Sequence, residues 1–292
     1  MMNNPRLGYI GLGLMGAPMV MRLLDAGCDV MVWNRSAGKK DAAVAAGAKL
    51  AESPAQLAAH CDVIMCCLTD ARAVEEVMFG DDGVASVNGP SILIDLSSMD
   101  PDQTREFGTR LRAANGMGWI DAPVSGGTPA ATDGTLTIMA GGTDEDFALA
   151  APLMGPLAQK VTHMGPAGAG QMTKLVNQII SGCTMAVVAE AVNFAKKSGV
   201  DATQLTDALA GGFADSKVFQ LLAPRMASEN FENPLGTVAM MLKDLDTVAA
   251  KGAGKAALPM TDAAIDLMRE TGVRGYDQSD ISTIVATLAA RL

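Results

Sequence analysis

A doubly wound α/β domain, then a long helix, then an all-α domain is the fold class that this sequence of 292 residues predicts. Three observations carry that reading. A short apolar strand, Leu7 to Ile10, runs directly into a glycine-spaced turn and a helix, which is how a nucleotide-binding βαβ unit of the Rossmann type begins. Apolar runs of strand length alternate with helical stretches as far as His163, and after Gly168 no run reads as a strand. Between the halves, Gln171 to Lys197 holds almost no helix breaker, and a helix of that span is about 40 Å long. The expected domains are a nucleotide-binding domain over residues 1–164 and a helical domain for substrate binding and oligomerisation over residues 165–292, opening with the long helix.

Composition narrows the function. The chain is 49% apolar and 18% charged, enough to bury a sizeable core. Its net charge of −10 argues against a nucleic-acid surface, but an anionic ligand needs only a local positive site. Met1 to Arg6 is short and polar, and no apolar window approaches about 20 residues without glycine or charge, so neither a leader nor a membrane partner is expected. Five cysteines, without a CxxC pair, read as reduced thiols of a cytoplasmic protein. His60 and His163 have no partners at metal-ligand spacing, so no metal is expected.

In Gly11-Leu12-Gly13-Leu14-Met15-Gly16 the first glycine permits the tight turn, the second lets a pyrophosphate approach the backbone, and the third lets helix pack on strand. The second strand, Asp29 to Trp33, ends at Asn34-Arg35-Ser36, where an NAD site would carry a ribose-binding acid. No acid is there. Arg35 offers a guanidinium for a 2′-phosphate, with Asn34 and Ser36 as neutral donors, so NADP is the expected cofactor and NAD the alternative. The buried strand Val63 to Cys67 ends at Leu68 and Thr69, and the strand Ser91 to Asp95 is followed by Ser98. These residues are candidates to line the nucleotide, because ligands lie off the C-terminal ends of such strands. The segment Gly118 to Gly127 runs a strand into Ser125-Gly126-Gly127, one hydroxyl and two amides unshielded by Cβ, which can cradle a carboxylate or simply form a glycine turn. Thr135 to Ala140 and Lys160 to His163 read as further strands, added antiparallel at the sheet edge.

On the long helix Lys174 and Asn177 stand three apart and share one face. A lysine so near the helix start opposes the positive end of the dipole, which disfavours its charged form and suits acid/base work; the plain alternative is a surface lysine lying along the helix. Helices are expected at Ala202 to Leu209, Ser216 to Ala227, Val238 to Lys251, Thr261 to Glu270 and Ser282 to Arg291.

Taken together, the chain resembles the β-hydroxyacid dehydrogenase family, which includes 3-hydroxyisobutyrate dehydrogenase and tartronate semialdehyde reductase. The resemblance rests on four motifs in order: the Gly11 to Gly16 turn with Ala17-Pro18-Met19, Asp121-Ala-Pro-Val-Ser-Gly-Gly127, Gly168-x-Gly170-x-x-x-Lys174-x-x-Asn177, and Lys243-Asp244-Leu245. It implies hydride transfer between NAD(P) and a short 3-hydroxy acid or its semialdehyde. Lys174 would be the general acid/base, Asn177 would orient it, and Ser125 to Gly127 would hold the carboxylate. It also implies that Lys243 and Ser98 line the cofactor or the active-site cleft. Asn177-Gln178 is similar to the tartronate semialdehyde reductases, while Thr237 and Met241 replace an arginine and a histidine of those enzymes, leaving a less polar pocket beside Met240 and Met241. An imine reductase would share this architecture, and a non-catalytic NADPH sensor or reader is the rival outside enzymes. A short-chain dehydrogenase is excluded, since neither Tyr9 nor Tyr276 has a lysine four residues on. A homodimer or homotetramer is expected from the packing needs of a small helical domain.

Overall fold

The computed structural model describes residues 5–291. The first unit, which extends through Lys174, is organised by a six-stranded parallel sheet. Its strands are β1 (Leu7–Ile10), β2 (Val30–Trp33), β3 (Lys49–Leu50), β4 (Val63–Cys66), β5 (Ile92–Asp95) and β6 (Gly118–Asp121), in the order β3-β2-β1-β4-β5-β6. Every residue of β1, β4, β5 and β6 is buried, which explains their unbroken apolar runs: a parallel sheet covered on both faces has no solvent side to alternate with. The order reverses between β1 and β4, and in such sheets the ligand crevice lies off the strand C-termini at that point.

The connecting helices are α1 (Gly16–Asp25), α2 (Asp41–Ala45), α3 (Pro54–His60), α4 (Ala71–Phe79), α5 (Pro101–Asn115), α6 (Gly127–Asp133) and α7 (Asp144–Met154). Their starts follow from local chemistry. Ser53, Asp70 and Thr143 each accept an amide N–H with the side chain at a helix N-terminus, the usual way to satisfy a donor with no partner inside the helix. One core contains Met19, Val20, Leu23, Ile138 and Met154, and another contains Leu57, Val74, Met78, Phe107 and Leu111.

The later strands depart from the expectation. β7 (Val124–Ser125), β8 (Leu136–Ala140) and β9 (Ala158–His163) form a separate three-stranded sheet, in which β8 and β9 are parallel and only β7 and β8 antiparallel. The reason is α7: a helical crossover returns the chain in the same direction, whereas an antiparallel neighbour would need a hairpin.

The helix α8 (Ala169–Lys197) contains the boundary between the two compact units, which falls after Lys174. By length and composition alone it would suffice to cross a membrane. Its buried residues Val188, Ala189, Val192 and Ala195 are instead core of the second unit. That unit adds α9 (Leu205–Leu209), α10 (Lys217–Ser228), α11 (Val238–Gly252), α12 (Pro259–Thr271) and α13 (Ile284–Ala289). Within it the buried Asp280 accepts from the amides of Leu235 and Ser282, tying the approach to α11 to the approach to α13.

Candidate active site

The glycine turn is built as its spacing requires. Gly11 has φ +100°, and a Cβ there would stand 2.4 Å from the Cys67 carbonyl oxygen; at Gly16 it would stand 1.9 Å from that of Gly11. Both positions are closed to any side chain. At Gly13 a Cβ would meet no heavy atom within 4 Å, so the middle glycine leaves open space toward which a ligand can approach. The Gly11 amide donates to the Trp33 carbonyl at 3.0 Å, and the Leu12 amide donates to Asn34 Oδ1 at 2.8 Å. Asn34 Nδ2 in turn donates to the Ser36 carbonyl at 2.9 Å. Asn34, expected as a phosphate donor, thus has both ends of its amide engaged in fastening the turn to the end of β2.

A cleft of about 330 Å³ is lined by Gly11, Gly13, Asn34, Arg35, Ser36, Leu68 and Thr69 from the expected set. Leu12 has a buried side chain, Leu14 is exposed, and Met15 precedes the first residue of α1. Arg35 is exposed, with Nη1 3.6 Å from Glu76 Oε2. Lys39 and Glu76 also line the cleft; the sequence reading missed both, although Lys39 follows Arg35 by four residues. These features fit a nicotinamide dinucleotide: an open glycine face at the start of a helix, and the cations Arg35 and Lys39 on the rim.

Ser125 ends β7, and Gly126 and Gly127, with φ +132° and +67°, open α6. Four residues before Ser125, the buried Asp121 takes the Gly168 amide on Oδ1 and the Gln171 amide on Oδ2, each at 2.8 Å. The start of α8 is thereby fixed to the end of β6. The approach is close enough that a Cβ on Gly170 would lie 2.4 Å from the Met139 carbonyl oxygen and 2.7 Å from that of Asp121, which accounts for a glycine there. Burial pushes the Asp121 carboxyl up to about 6, against the opposing effect of the two amide donors, and nearby Asp95 adds to the rise. Gln171 is buried; its Nε2 donates to the Ser97 carbonyl at 2.8 Å and its Oε1 accepts from the Met99 amide at 3.2 Å. Ser98, half-buried, lies between those two residues. Lys174, 9% exposed, is one turn further along α8.

In the second unit Asn177 Nδ2 donates to Gln178 Oε1 at 2.9 Å, and Gln178 Nε2 donates to Asp244 Oδ2 at 2.8 Å. Lys243 Nζ lies 3.4 Å from Asp244 Oδ1. The Asn177-Gln178 pair and the Lys243-Asp244 pair, far apart in sequence, are thus one polar cluster on α8 and α11. Sequence reasoning had no means of seeing the Gln178–Asp244 bond, and it passed over Asp121 and Gln171, although both lie within motifs it quoted.

Comparison with known proteins gives a family for this arrangement. Residues 6–165 match the family described as the NAD binding domain of 6-phosphogluconate dehydrogenase, and residues 168–288 match the NAD-binding region of NADP-dependent 3-hydroxyisobutyrate dehydrogenase. The 2-hydroxy-3-oxopropionate reductase of Escherichia coli is 36% identical over 97% of both chains. The 2-(hydroxymethyl)glutarate dehydrogenase of Eubacterium barkeri is 33% identical over 96% of this chain and 93% of its own. A solved Mycobacterium tuberculosis 3-hydroxyisobutyrate dehydrogenase with L-serine superposes with a TM-score of 0.85 at 29% identity, covering 98% of this chain and 99% of its own. With a glycine turn fastened to β2, a lysine-bearing helix capped from β6, and relatives aligned from end to end, this chain belongs to the β-hydroxyacid dehydrogenase family.

Proposed function

We propose that this protein transfers hydride between NADP(H) and a short-chain 3-hydroxy acid or its semialdehyde, with Lys174 as the general acid/base. The observation that carries the reading is the buried Lys174 one turn after a helix start that is fastened to the C-terminal ends of β5 and β6, the edge of the sheet at which such folds bind ligands. Relatives that reduce or oxidise small hydroxy acids support the reaction class.

Bound nicotinamide cofactor supplies the hydride acceptor or donor. The Gly11 to Gly16 turn would hold its pyrophosphate at the N-terminus of α1. Arg35, with Ser36 and Lys39, would hold a 2′-phosphate, and Leu68, Thr69 and Ser98 would line the riboses, with Lys243 a further cofactor contact by resemblance. Ser125 and the amides of Gly126 and Gly127 would take the substrate carboxylate. Lys174 Nζ then accepts the hydroxyl proton during oxidation, or donates it during reduction, while Asn177 orients the reacting group. General acid/base help of this kind contributes about 10² to 10⁴ in rate. We place the enzyme in the cytoplasm, on the cysteine usage alone.

The test is initial-rate formation of reduced nicotinamide over a panel of 3-hydroxyisobutyrate, 3-hydroxypropionate, glycerate, serine and threonate, with NADP⁺ and NAD⁺ in parallel. Turnover of at least one acid, faster with NADP⁺, is expected. Tight NADPH binding with no turnover of any hydroxy acid or semialdehyde would instead favour a sensor, and turnover of cyclic imines alone an imine reductase.

A further inference from the structure

We infer that Gln171 is a positioning residue for the Lys174 proton transfer, tying the helix turn that carries Lys174 to the wall of the nucleotide cleft; the inference rests on the function proposed above. The connection runs entirely inside the first unit. Leu68, which lines the cleft, donates its amide to Ser97 Oγ at 2.9 Å. The Ser97 carbonyl accepts from Gln171 Nε2 at 2.8 Å, and Gln171 Oε1 accepts from the Met99 amide at 3.2 Å. The two residues that flank Ser98 are therefore gripped by one carboxamide. The backbone of Gln171 is held in turn, since its amide donates to Asp121 Oδ2 at 2.8 Å.

Gln171 and Ser97 are each 1% exposed, so these bonds have no competing water and fix the side chain in one rotamer. Lys174 follows by three residues and so projects from nearly the same helix face. A shift of this turn against the loop after β5 would move the amine relative to the cleft wall, and a misplacement near 1 Å costs on the order of 100-fold in rate. The residue type is specific to the task. A glutamine presents one donor and one acceptor side by side; an ionised glutamate cannot donate to the Ser97 carbonyl, and a methionine of similar length cannot donate at all and accepts only weakly. A merely structural glutamine would satisfy the same backbone groups, but its loss would lower stability without acting through Lys174.

A double-mutant cycle separates the two. Gln171→Met and Lys174→Ala are made singly and together, and kcat is measured on the panel acid that the wild type turns over fastest, with NADPH affinity followed by fluorescence. Gln171→Met is expected to lower kcat ten-fold or more with KM and NADPH affinity changed less than three-fold, and to lower it no further in the Lys174→Ala enzyme. Met154→Ala, a core deletion in the same unit, should lose stability and keep its kcat. An equal loss from Gln171→Met in both backgrounds would overturn the positioning role while leaving the lysine assignment intact. Full activity of Lys174→Ala would overturn the lysine assignment, and this inference with it. A readout independent of turnover is trace acetylation of Lys174 in the whole protein as a function of pH, mapped by mass spectrometry. The profile should differ between wild type and Gln171→Met, because the lysine's surroundings change, and coincident profiles would refute the coupling.

Discussion

Replacing Gly13 with alanine should separate cofactor binding from folding, because the three glycines of the turn meet different surroundings. A Cβ on Gly13 has no heavy atom within 4 Å, and its backbone is outside the left-handed region. The fold therefore has room for the methyl, and stability should hold or rise by a few tenths of a kcal/mol through the lost freedom of the unfolded chain. The open side is the one a pyrophosphate must approach. A methyl forced into a close-packed contact costs about 1–3 kcal/mol, or roughly 5- to 150-fold in Kd at 1.4 kcal/mol per ten-fold. Gly16→Ala is the contrast: its Cβ would lie 1.9 Å from the Gly11 carbonyl oxygen, a backbone atom that cannot swing aside, so the protein itself should unfold earlier. The assay pairs thermal unfolding without ligand and NADPH titration by fluorescence. Wild-type NADPH affinity in Gly13→Ala, or a stability loss there equal to that of Gly16→Ala, would refute the placement of the pyrophosphate.

Other outcomes follow from the same geometry. Arg35→Ala should weaken NADPH by about 1.5–3 kcal/mol, the range of a hydrogen bond to a charged group, and leave NADH affinity unchanged; equal losses for both cofactors would place the 2′-phosphate elsewhere. Glu76 competes for Arg35 across the cleft at 3.6 Å, so Glu76→Gln should tighten NADPH by about 0.2–1 kcal/mol, the scale of an exposed pair, an effect lost at high salt. Asp121 carries a pH dependence of stability. Its ordinary value is 3.8 and burial raises it to about 6 in the fold. Below that window both folded and unfolded chains hold the proton, and as pH rises through it the unfolded chain releases the proton first, so stability falls, by up to about 3 kcal/mol at 1.36 kcal/mol per pH unit. Unfolding at pH 4 and 7 should show the fall in wild type and not in Asp121→Asn; the same fall in both would assign it to other groups. Gly170→Ala would press a methyl against two strand carbonyls, and should lower both Tm and kcat; a wild-type kcat would show that the seat of α8 on β6 is not what positions Lys174.

What was legible in the sequence was what is local. The run from β1 through Gly11 to Gly16 into α1 and the long α8 depend on neighbours within a few residues, and the structure has the turn and the helix they imply. The strand β3 went unseen because Lys49–Leu50 is two exposed residues with no apolar alternation. Whether β8 and β9 joined the main sheet was a question of pairing, which periodicity does not encode. The same limit hid the roles of Asn34, Asp121 and Gln171. Each is an ordinary polar residue until its partner is known, and those partners lie 22, 50 and 74 residues away in the bonds to Leu12, Gln171 and Ser97. Lys174 was nameable because its spacing to Asn177 repeats a motif; the groups that seat it were not.

If Lys174 moves the proton, as proposed, kcat of Lys174→Ala against wild type on the fastest acid of the panel must show it, with NADPH affinity measured alongside. A fall of 10² or more with NADPH binding retained is the predicted result. A kcat within a few-fold of wild type, with NADPH bound equally well, would contradict it and transfer the acid/base role to another group.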